Sequence, residues 1–432
     1  MFNKIHGCHL NGHKHMSTNQ PILDFLDPDY VYFPLTNGNV TYLKLVDIGT
    51  KVLIGQQILL REGRFGHPIC SSVSGTVSAI KKMWHSSGKM IEMLEITNDH
   101  QNLVCYSETN DGTLTRDIII DKVKNAGIVG LGGAGFPTYV KYLPTQPVDY
   151  VIINAAECEP YLTCDYMSIM ENSDKLIRGI HYIMTANNAK KGVIAIKKNK
   201  YEAIDILKEH LKGIDDISLY LLNDEYPAGW EKYIVEHVTK KSYTGLPREA
   251  GAVVNNVQTA IAVCEAVEMN KPLIERVVTV TGEGLKNPRN FRVKIGTKIN
   301  DLIELCGGYV DDLKDAYFIC GGPMTGRGMF FDELVITSNV GSVIVMPKAE
   351  AKKNPDCIGC GKCSENCPSF LTPTSIKQAY LSNNVAELNA LNANKCVQCG
   401  LCSYVCPSRV EMTDYMAKAK EMLAKANATV KK

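Results

Sequence analysis

The stretch C-I-G-C-G-K-C-S-E-N-C-P at residues 357–368 is answered by C-V-Q-C-G-L-C-S-Y-V-C-P at residues 396–407. Both read C-x2-C-x2-C-x3-C-P. Three thiolates two residues apart wrap three corners of one iron–sulfur cubane, and the glycines Gly359, Gly361 and Gly400 let the backbone pass close to it. The fourth cysteine, followed by proline, turns away and ligates the other cluster. The spacing therefore predicts two [4Fe–4S] clusters. One is held by Cys357, Cys360, Cys363 and Cys406, the other by Cys396, Cys399, Cys402 and Cys367. Structural zinc, which closes at four ligands from paired C-x2-C arms, fits a doubled triple run poorly. Between the runs, Ala379, Leu381, Val385, Leu388 and Leu391 recur at near-helical spacing, so helices are expected to separate the two cluster loops.

Working outward, the chain has 432 residues, enough for two to four domains. Of its 16 cysteines, the eight outside these runs are scattered, unlike the disulfide framework of a small secreted chain. Lysine plus arginine is 47 against 46 for aspartate plus glutamate, which leaves no electrostatic footprint for nucleic acid. Hydrophobic residues at 45% and charged residues at 22% are ordinary for a globular protein. No apolar run approaches the roughly 20 residues that span a bilayer. The first residues, Met1 to Asn19, are polar and lack a signal-peptide core. A cytoplasmic chain able to dock on a membrane complex is expected.

Clusters move electrons singly and need a donor or acceptor. Residues 130–138 read G-L-G-G-A-G-F-P-T and formally contain the dinucleotide fingerprint G-x-G-x-x-G. That fingerprint needs a strand before it, but Asp117–Ala126 reads as a short helix. Taken alone, the glycines suit either a phosphate loop or a plain turn, with Pro137 in the first turn of a following helix. Tyr150–Asn154 reads as a buried strand. It runs into A-A-E-C-E-P-Y-L-T-C-D, where Glu157 and Glu159 sit at a strand end, the place where α/β proteins bind ligands. A solvated loop is equally consistent with those carboxylates, and Cys158 and Cys164 read as bystanders. Tyr226–Glu231 (Y-P-A-G-W-E) opens a helix and Val253–Thr259 (V-V-N-N-V-Q-T) leads into another. Each alone is an unremarkable cap or turn.

Together and in this order, these motifs and the double cysteine run resemble the RnfC family, which belongs to ion-translocating ferredoxin:NAD+ oxidoreductase (Rnf) complexes. The resemblance covers nearly the whole chain. The central part is also similar to the NADH-binding, FMN-carrying subunit of respiratory complex I. The resemblance implies a multidomain α/β chain. Residues 1–110 form an N-terminal arm and a lipoyl-like barrel-sandwich β-domain, and 111–270 a Rossmann-like α/β FMN/NADH domain. Residues 271–348 form a β-grasp (SLBB) domain, and 349–432 an α-helical ferredoxin-type domain with two [4Fe–4S] clusters. It implies that Gly130, Gly132 and Gly133 lie under the FMN phosphate, that Phe136 stacks on the nucleotide, and that Lys141 lies near the flavin. Asn154, Glu157 and Glu159 match the flavin- and NADH-contacting strand end. Tyr226, Gly229 and Glu231 match a second flavin-lining turn, and Asn255, Asn256 and Thr259 the phosphate-side contacts. Two positions depart from the complex I pattern: Leu131 stands where an arginine is usual and Trp230 where an acidic residue is usual.

The implied activity is electron exchange between NAD(H), FMN and two clusters, in a peripheral subunit on the cytoplasmic side of a membrane complex that couples ferredoxin:NAD+ oxidoreduction to ion translocation. Its partners would be the other Rnf subunits, including membrane subunits and a ferredoxin-like subunit. A soluble RnfC-like donor to a reductase such as proline reductase, and a non-catalytic cluster-bearing scaffold, are the alternatives. No side chain is assigned an acid or base role. Val52–Ile80 contains no lysine, so the barrel-sandwich domain is expected to carry no swinging arm. His6, Cys8, His9, His13 and His15 are read as part of a stray polar arm rather than a metal site. Met412–Lys432 is read as a lysine-rich solvated helix able to meet an anionic membrane or a partner.

Overall fold

The computed structural model describes residues 7–38, 40–107, 113–348 and 356–430, with side chains to 427. His6 lies outside them. Among the described residues, no helix is long and apolar enough to cross a membrane.

Short runs of β-branched and aromatic residues punctuated by glycine turns form two four-stranded sheets near the N-terminus. One contains the long hairpin Gly75–Trp84 and Met90–Asn98. Val31, Phe33, Ile58, Leu59, Val77, Leu94 and Ile96 fill the core of this domain.

The central domain is built on a parallel sheet with strand order Ile217–Leu222, Lys191–Lys197, Tyr150–Ala155, Ala252–Asn256. Tyr150–Ala155 is nearly all apolar because both faces are covered. Val151 and Ile153 meet the helices Cys164–Asn187, Val257–Met269 and Arg116–Asn125. Ile152 meets Ile234 of the helix Glu231–Thr239 on the opposite face. Gly179 lets the two long helices touch, since a Cβ there would lie 2.0 Å from the Ala260 carbonyl oxygen. Strand order reverses between Tyr150–Ala155 and Ala252–Asn256, and such a switch point opens a crevice beyond the strands' C-terminal ends. As the sequence suggested, a helix and not a strand precedes the glycine loop. The helix after it, Thr138–Tyr142, begins one residue beyond Pro137, which is its N-cap.

A six-stranded sheet with the helix Ile299–Leu305 makes the third unit. One of its edge strands is Leu23–Phe25, parallel to Arg289–Lys294, so the N-terminal segment is woven into this domain. The last unit packs the helices Pro373–Leu381, Val385–Ala390 and Met412–Val430 around Ile376, Leu388, Met416 and Leu423. The terminal helix is therefore amphipathic and docked, not simply solvated. Burying Met416 and Leu423, each about 1% exposed, stabilises the unit by about 1.5–3 kcal/mol per side chain.

The N-terminal arm is not stray. Cys8 and Tyr226 exchange backbone hydrogen bonds, and Leu10 is buried beside Tyr226 and Leu401. Tyr161 N–H donates to Gly12 O at 2.7 Å, and the Lys14 ammonium donates to the carbonyls of Glu159 and Leu162. The Ser17 and Thr163 hydroxyls pair at 2.7 Å. His9 lies 3.2 Å from Asp224, and His13 stacks on Tyr161. The composition is polar because these groups meet polar partners on the central domain.

Candidate flavin and cluster sites

At the switch point lies a cavity of about 420 Å³. The glycine loop forms one wall, its Leu131 N–H donating to Thr259 Oγ1 at 3.0 Å. Thr259 is thus behind the loop, outside the cavity. Gly130, Gly132, Gly133 and Phe136 line it, and Phe136 meets Phe65 edge to face. Lys141 reaches in from the short helix and donates to Val254 O at 2.9 Å. Burial pulls its ammonium pKa down, opposed by the Glu231 carboxylate.

The strand ends supply the floor. Asn154 donates to Gly229 O at 2.8 Å, tying the first strand to the turn before the helix Glu231–Thr239. Asn256 caps the next helix, accepting from Gln258 N and Thr259 N, and its amide nitrogen donates to Asp165 at 2.6 Å. Asn255 accepts from the Tyr142 hydroxyl, while its own amide nitrogen is buried with no protein partner. Ser342 Oγ, on the opposite wall, is likewise buried and unpartnered. Buried polar groups are rarely left orphaned without a ligand or water. The cavity therefore fits a polar ligand, and FMN has the donors and acceptors to meet both groups.

The two glutamates differ. Glu157 accepts from Asp165 N at 2.7 Å and pairs with Lys200 at 2.8 Å and Lys14 at 3.6 Å. Burial pushes its carboxyl up, but the two ammonium groups outweigh that and hold it below the usual range. Glu159 is pushed up by burial and accepts from Met324 N at 3.0 Å and from the Thr325 hydroxyl. Burial, then the charge of Glu157, lifts Asp165 to about 6.

Of the positions singled out in the sequence, Tyr226 and Thr259 are the two that do not line this cavity. Tyr226 is 2% exposed, and its hydroxyl donates to the Cys399 carbonyl at 2.7 Å. Arg276, Asp165, Thr325, Gly341 and Ser342 line the cavity and were not anticipated. Of these, only Arg276 carried a signal, as a lone arginine opening the β-branched run R-V-V-T-V-T.

Cys367, Cys396, Cys399 and Cys402 surround a second, smaller cavity, one cysteine from the first run and three from the second. The chemistry of this donor set, four thiols around one space, fits a cubane. Ser369 Oγ borders the same space, buried and unpartnered. In the other set, Cys357 and Cys360 are exposed, Cys406 is half-buried and Cys363 is buried. Among the described residues, no three or more His, Cys, Asp or Glu side chains are grouped to hold a single metal ion. The two sites are also joined through the loop around Met324. The loop that binds Glu159 also packs on the cysteine run, where a Cβ on Gly400 would lie 2.5 Å from Met324 O.

Comparison with known proteins matches four families along the chain. These are the RnfC barrel sandwich hybrid domain at residues 2–101, the Nuo51 FMN-binding domain at 123–265, the SLBB domain at 277–328 and a 4Fe-4S dicluster domain at 356–411. The chain is 33% identical to the RnfC-type component of the Na(+)-translocating ferredoxin:NAD(+) oxidoreductase complex of Acetobacterium woodii, over 86% of each chain. It is 34% identical to the counterpart in the proton-translocating complex of Clostridium ljungdahlii, over 86% of this chain and 82% of that one. Against the counterpart in the ion-translocating oxidoreductase complex of Rhodobacter capsulatus, identity is 32% over 85% and 73%. With the four domains in this order and such coverage, the chain belongs to the RnfC family.

Proposed function

We propose that this chain is the peripheral subunit that exchanges electrons between NAD(H), FMN and two [4Fe–4S] clusters, in a membrane-bound complex coupling ferredoxin:NAD+ oxidoreduction to ion translocation. The observation that carries the reading is the adjacency of the two cavities. Glu159 on the flavin side and Gly400 on the cluster side are both packed against the loop around Met324. Bound FMN supplies the exchange between two-electron hydride chemistry and one-electron transfer.

The residues of the chain bind, orient and shield. The glycine loop offers backbone amides, Lys141 a half-buried cation, and Asn154, Gly229, Asn255 and Asn256 a polar floor. Phe136, 38% exposed, offers a ring face at the mouth for the incoming nucleotide. Glu157, already saturated by Lys14 and Lys200, shapes the strand end. Cys367, Cys396, Cys399 and Cys402 hold the flavin-proximal cluster. Cys357, Cys360, Cys363 and Cys406 hold the outer one, whose exposed ligands face a ferredoxin-like partner subunit. NAD(H) and ferredoxin are intracellular pools, which favours the cytoplasmic face of the membrane subunits.

The test is anaerobic purification with iron, sulfide and flavin quantified, followed by an NADH titration. About eight irons and one FMN per chain, with visible absorbance bleached by NADH, is the expected result. Full iron with no flavin, and no bleaching after FMN is added back, would leave a cluster-only carrier.

A further inference from the structure

Arg276 is the second residue of the strand Glu275–Thr281 of the β-grasp unit, yet its side chain borders the cavity of the neighbouring domain. It is 3% exposed. Its guanidinium donates to three backbone carbonyls: Val277 O at 3.4 Å, Leu131 O at 3.3 Å, and Ser338 O. Those bonds use three of five N–H donors. Burial pulls its pKa down, opposed in part by Asp165 and by the neighbouring Cys164 and Cys320 side chains, none of which hydrogen-bonds to it. Among the described residues no carboxylate forms an ion pair with it. Asp165 is turned toward Asn256 and Gln258 instead.

A buried guanidinium without a carboxylate is costly unless an anion completes it. The place for that anion is defined by what Arg276 touches. Leu131 is part of the glycine loop, so the guanidinium itself lies against that wall. Lys141, the cavity's other cation, is engaged with Val254 O and feels Glu231. Glu157 is neutralised by Lys14 and Lys200, but Glu159, Asp165 and Glu231 give the rest of the lining a negative bias, so a phosphate needs a cation of its own.

We propose that Arg276 is a cofactor-binding residue that takes the phosphate of FMN, making the β-grasp unit part of the flavin site. The proposal rests on the FMN reading above. Guanidinium and phosphate make paired charge-assisted hydrogen bonds that an ammonium on a flexible stem reproduces only in part. Riboflavin, which lacks the phosphate, gains nothing from Arg276.

The experiment strips flavin from the purified cluster-loaded protein and titrates FMN and riboflavin separately, following flavin fluorescence, for wild type, Arg276→Met and Arg276→Lys. The expected result is that Arg276→Met weakens FMN by about 30-fold and leaves riboflavin unchanged, with Arg276→Lys between. Equal losses of both flavins would make Arg276 a structural prop and overturn the proposal, as would unchanged FMN affinity. If Arg276→Met gives no cooperative melt, the FMN-to-riboflavin ratio of Arg276→Lys decides in the same way. A wild type that binds neither flavin would instead sink the FMN reading itself.

Discussion

The Tyr226 hydroxyl donates to the main-chain carbonyl of Cys399 across 2.7 Å. Tyr226 belongs to the turn that opens the helix Glu231–Thr239, and Cys399 is the second thiol of the second cysteine run. The bond therefore fastens the flavin domain to one particular cluster loop. Leu10, Leu401 and Met324 pack around the same contact.

Tyr226→Phe removes that donor and leaves a carbonyl short of a partner. The expected loss of stability is about 1–2 kcal/mol, read from urea unfolding of the cluster domain. The functional expectation is more specific. In stopped flow with NADH, flavin bleaching keeps its rate while cluster reduction slows, because the cluster loop loses its registration against the flavin domain. Equal slowing of both phases would show that Tyr226 serves the flavin site directly.

The cluster ligands make a second prediction. Cys367 lies in the first run but shares a cavity with Cys396, Cys399 and Cys402. Cys367→Ala and Cys399→Ala should each remove the same cluster, leaving about four irons and one remaining electron paramagnetic resonance signal. The double variant should match either single one. Cys406→Ala should abolish the other signal. If Cys367→Ala and Cys360→Ala instead remove the same signal, each run holds its own cluster.

How far the sequence carries the site follows from how local each part is. The cysteine runs are contiguous and their spacing alone exposes them, whereas the glycine loop and the strand end at Glu157, though contiguous, each allow a plain turn or loop until the family resemblance joins them. Tyr226 sits within a contiguous motif too, yet its ring turns toward the cysteines because the Cys8 backbone holds the turn from the other side. Ser342 reaches the cavity through tertiary packing that no local pattern encodes, and so does Arg276, whose only local signal is its place at the head of a β-branched run; Asp165 closes the strand-end motif, but its partners Asn256 and Gln258 are distant in sequence. The arm misleads for the same reason. Lys14 sits in a histidine-rich polar run, and its burial depends on distant partners, the Glu157 carboxylate and the Glu159 and Leu162 carbonyls.

Gly179 tests the packing beneath the site. With the Ala260 carbonyl 2.0 Å from any Cβ, Gly179→Ala forces the helices Cys164–Asn187 and Val257–Met269 apart. The second of these carries Asn256 as its cap. We expect a loss of about 3 kcal/mol, seen as a lower denaturation midpoint, together with weaker flavin retention.

Lys14→Met tests the arm. It removes the bonds to the Glu159 and Leu162 carbonyls but leaves the Lys200–Glu157 pair in place. The loop from Glu157 to Leu162 loses its outer anchor. We expect faster chymotryptic cleavage of the arm at Leu10 and a KM for NADH raised about 10-fold, equivalent to about 1.4 kcal/mol, with kcat little changed. A lower kcat at unchanged KM would place the arm's role in electron transfer rather than in nucleotide binding.

Asp165 gives the chain a pH signature whose sign can be worked out. Its folded pKa of about 6 lies above the ordinary 3.8, because of burial first and the Glu157 charge second. Between those values the folded state holds a proton that the unfolded state has released. Stability from this group therefore falls as pH rises from about 4 to about 6, and the penalty persists in full at higher pH. Asp165→Asn cannot ionise and escapes that penalty. It also gives up an acceptor, since the amide nitrogen cannot receive both Asn256 and Gln258, so its absolute stability is not the readout. The readout is the difference in melting temperature between variant and wild type in flavin-free protein. That difference should be more favourable to the variant at pH 7.5 than at pH 4, with the change concentrated between these limits. Parallel curves across the range would mean that Asp165 ionises as an ordinary carboxylate, and that the cavity is more hydrated than its packing implies.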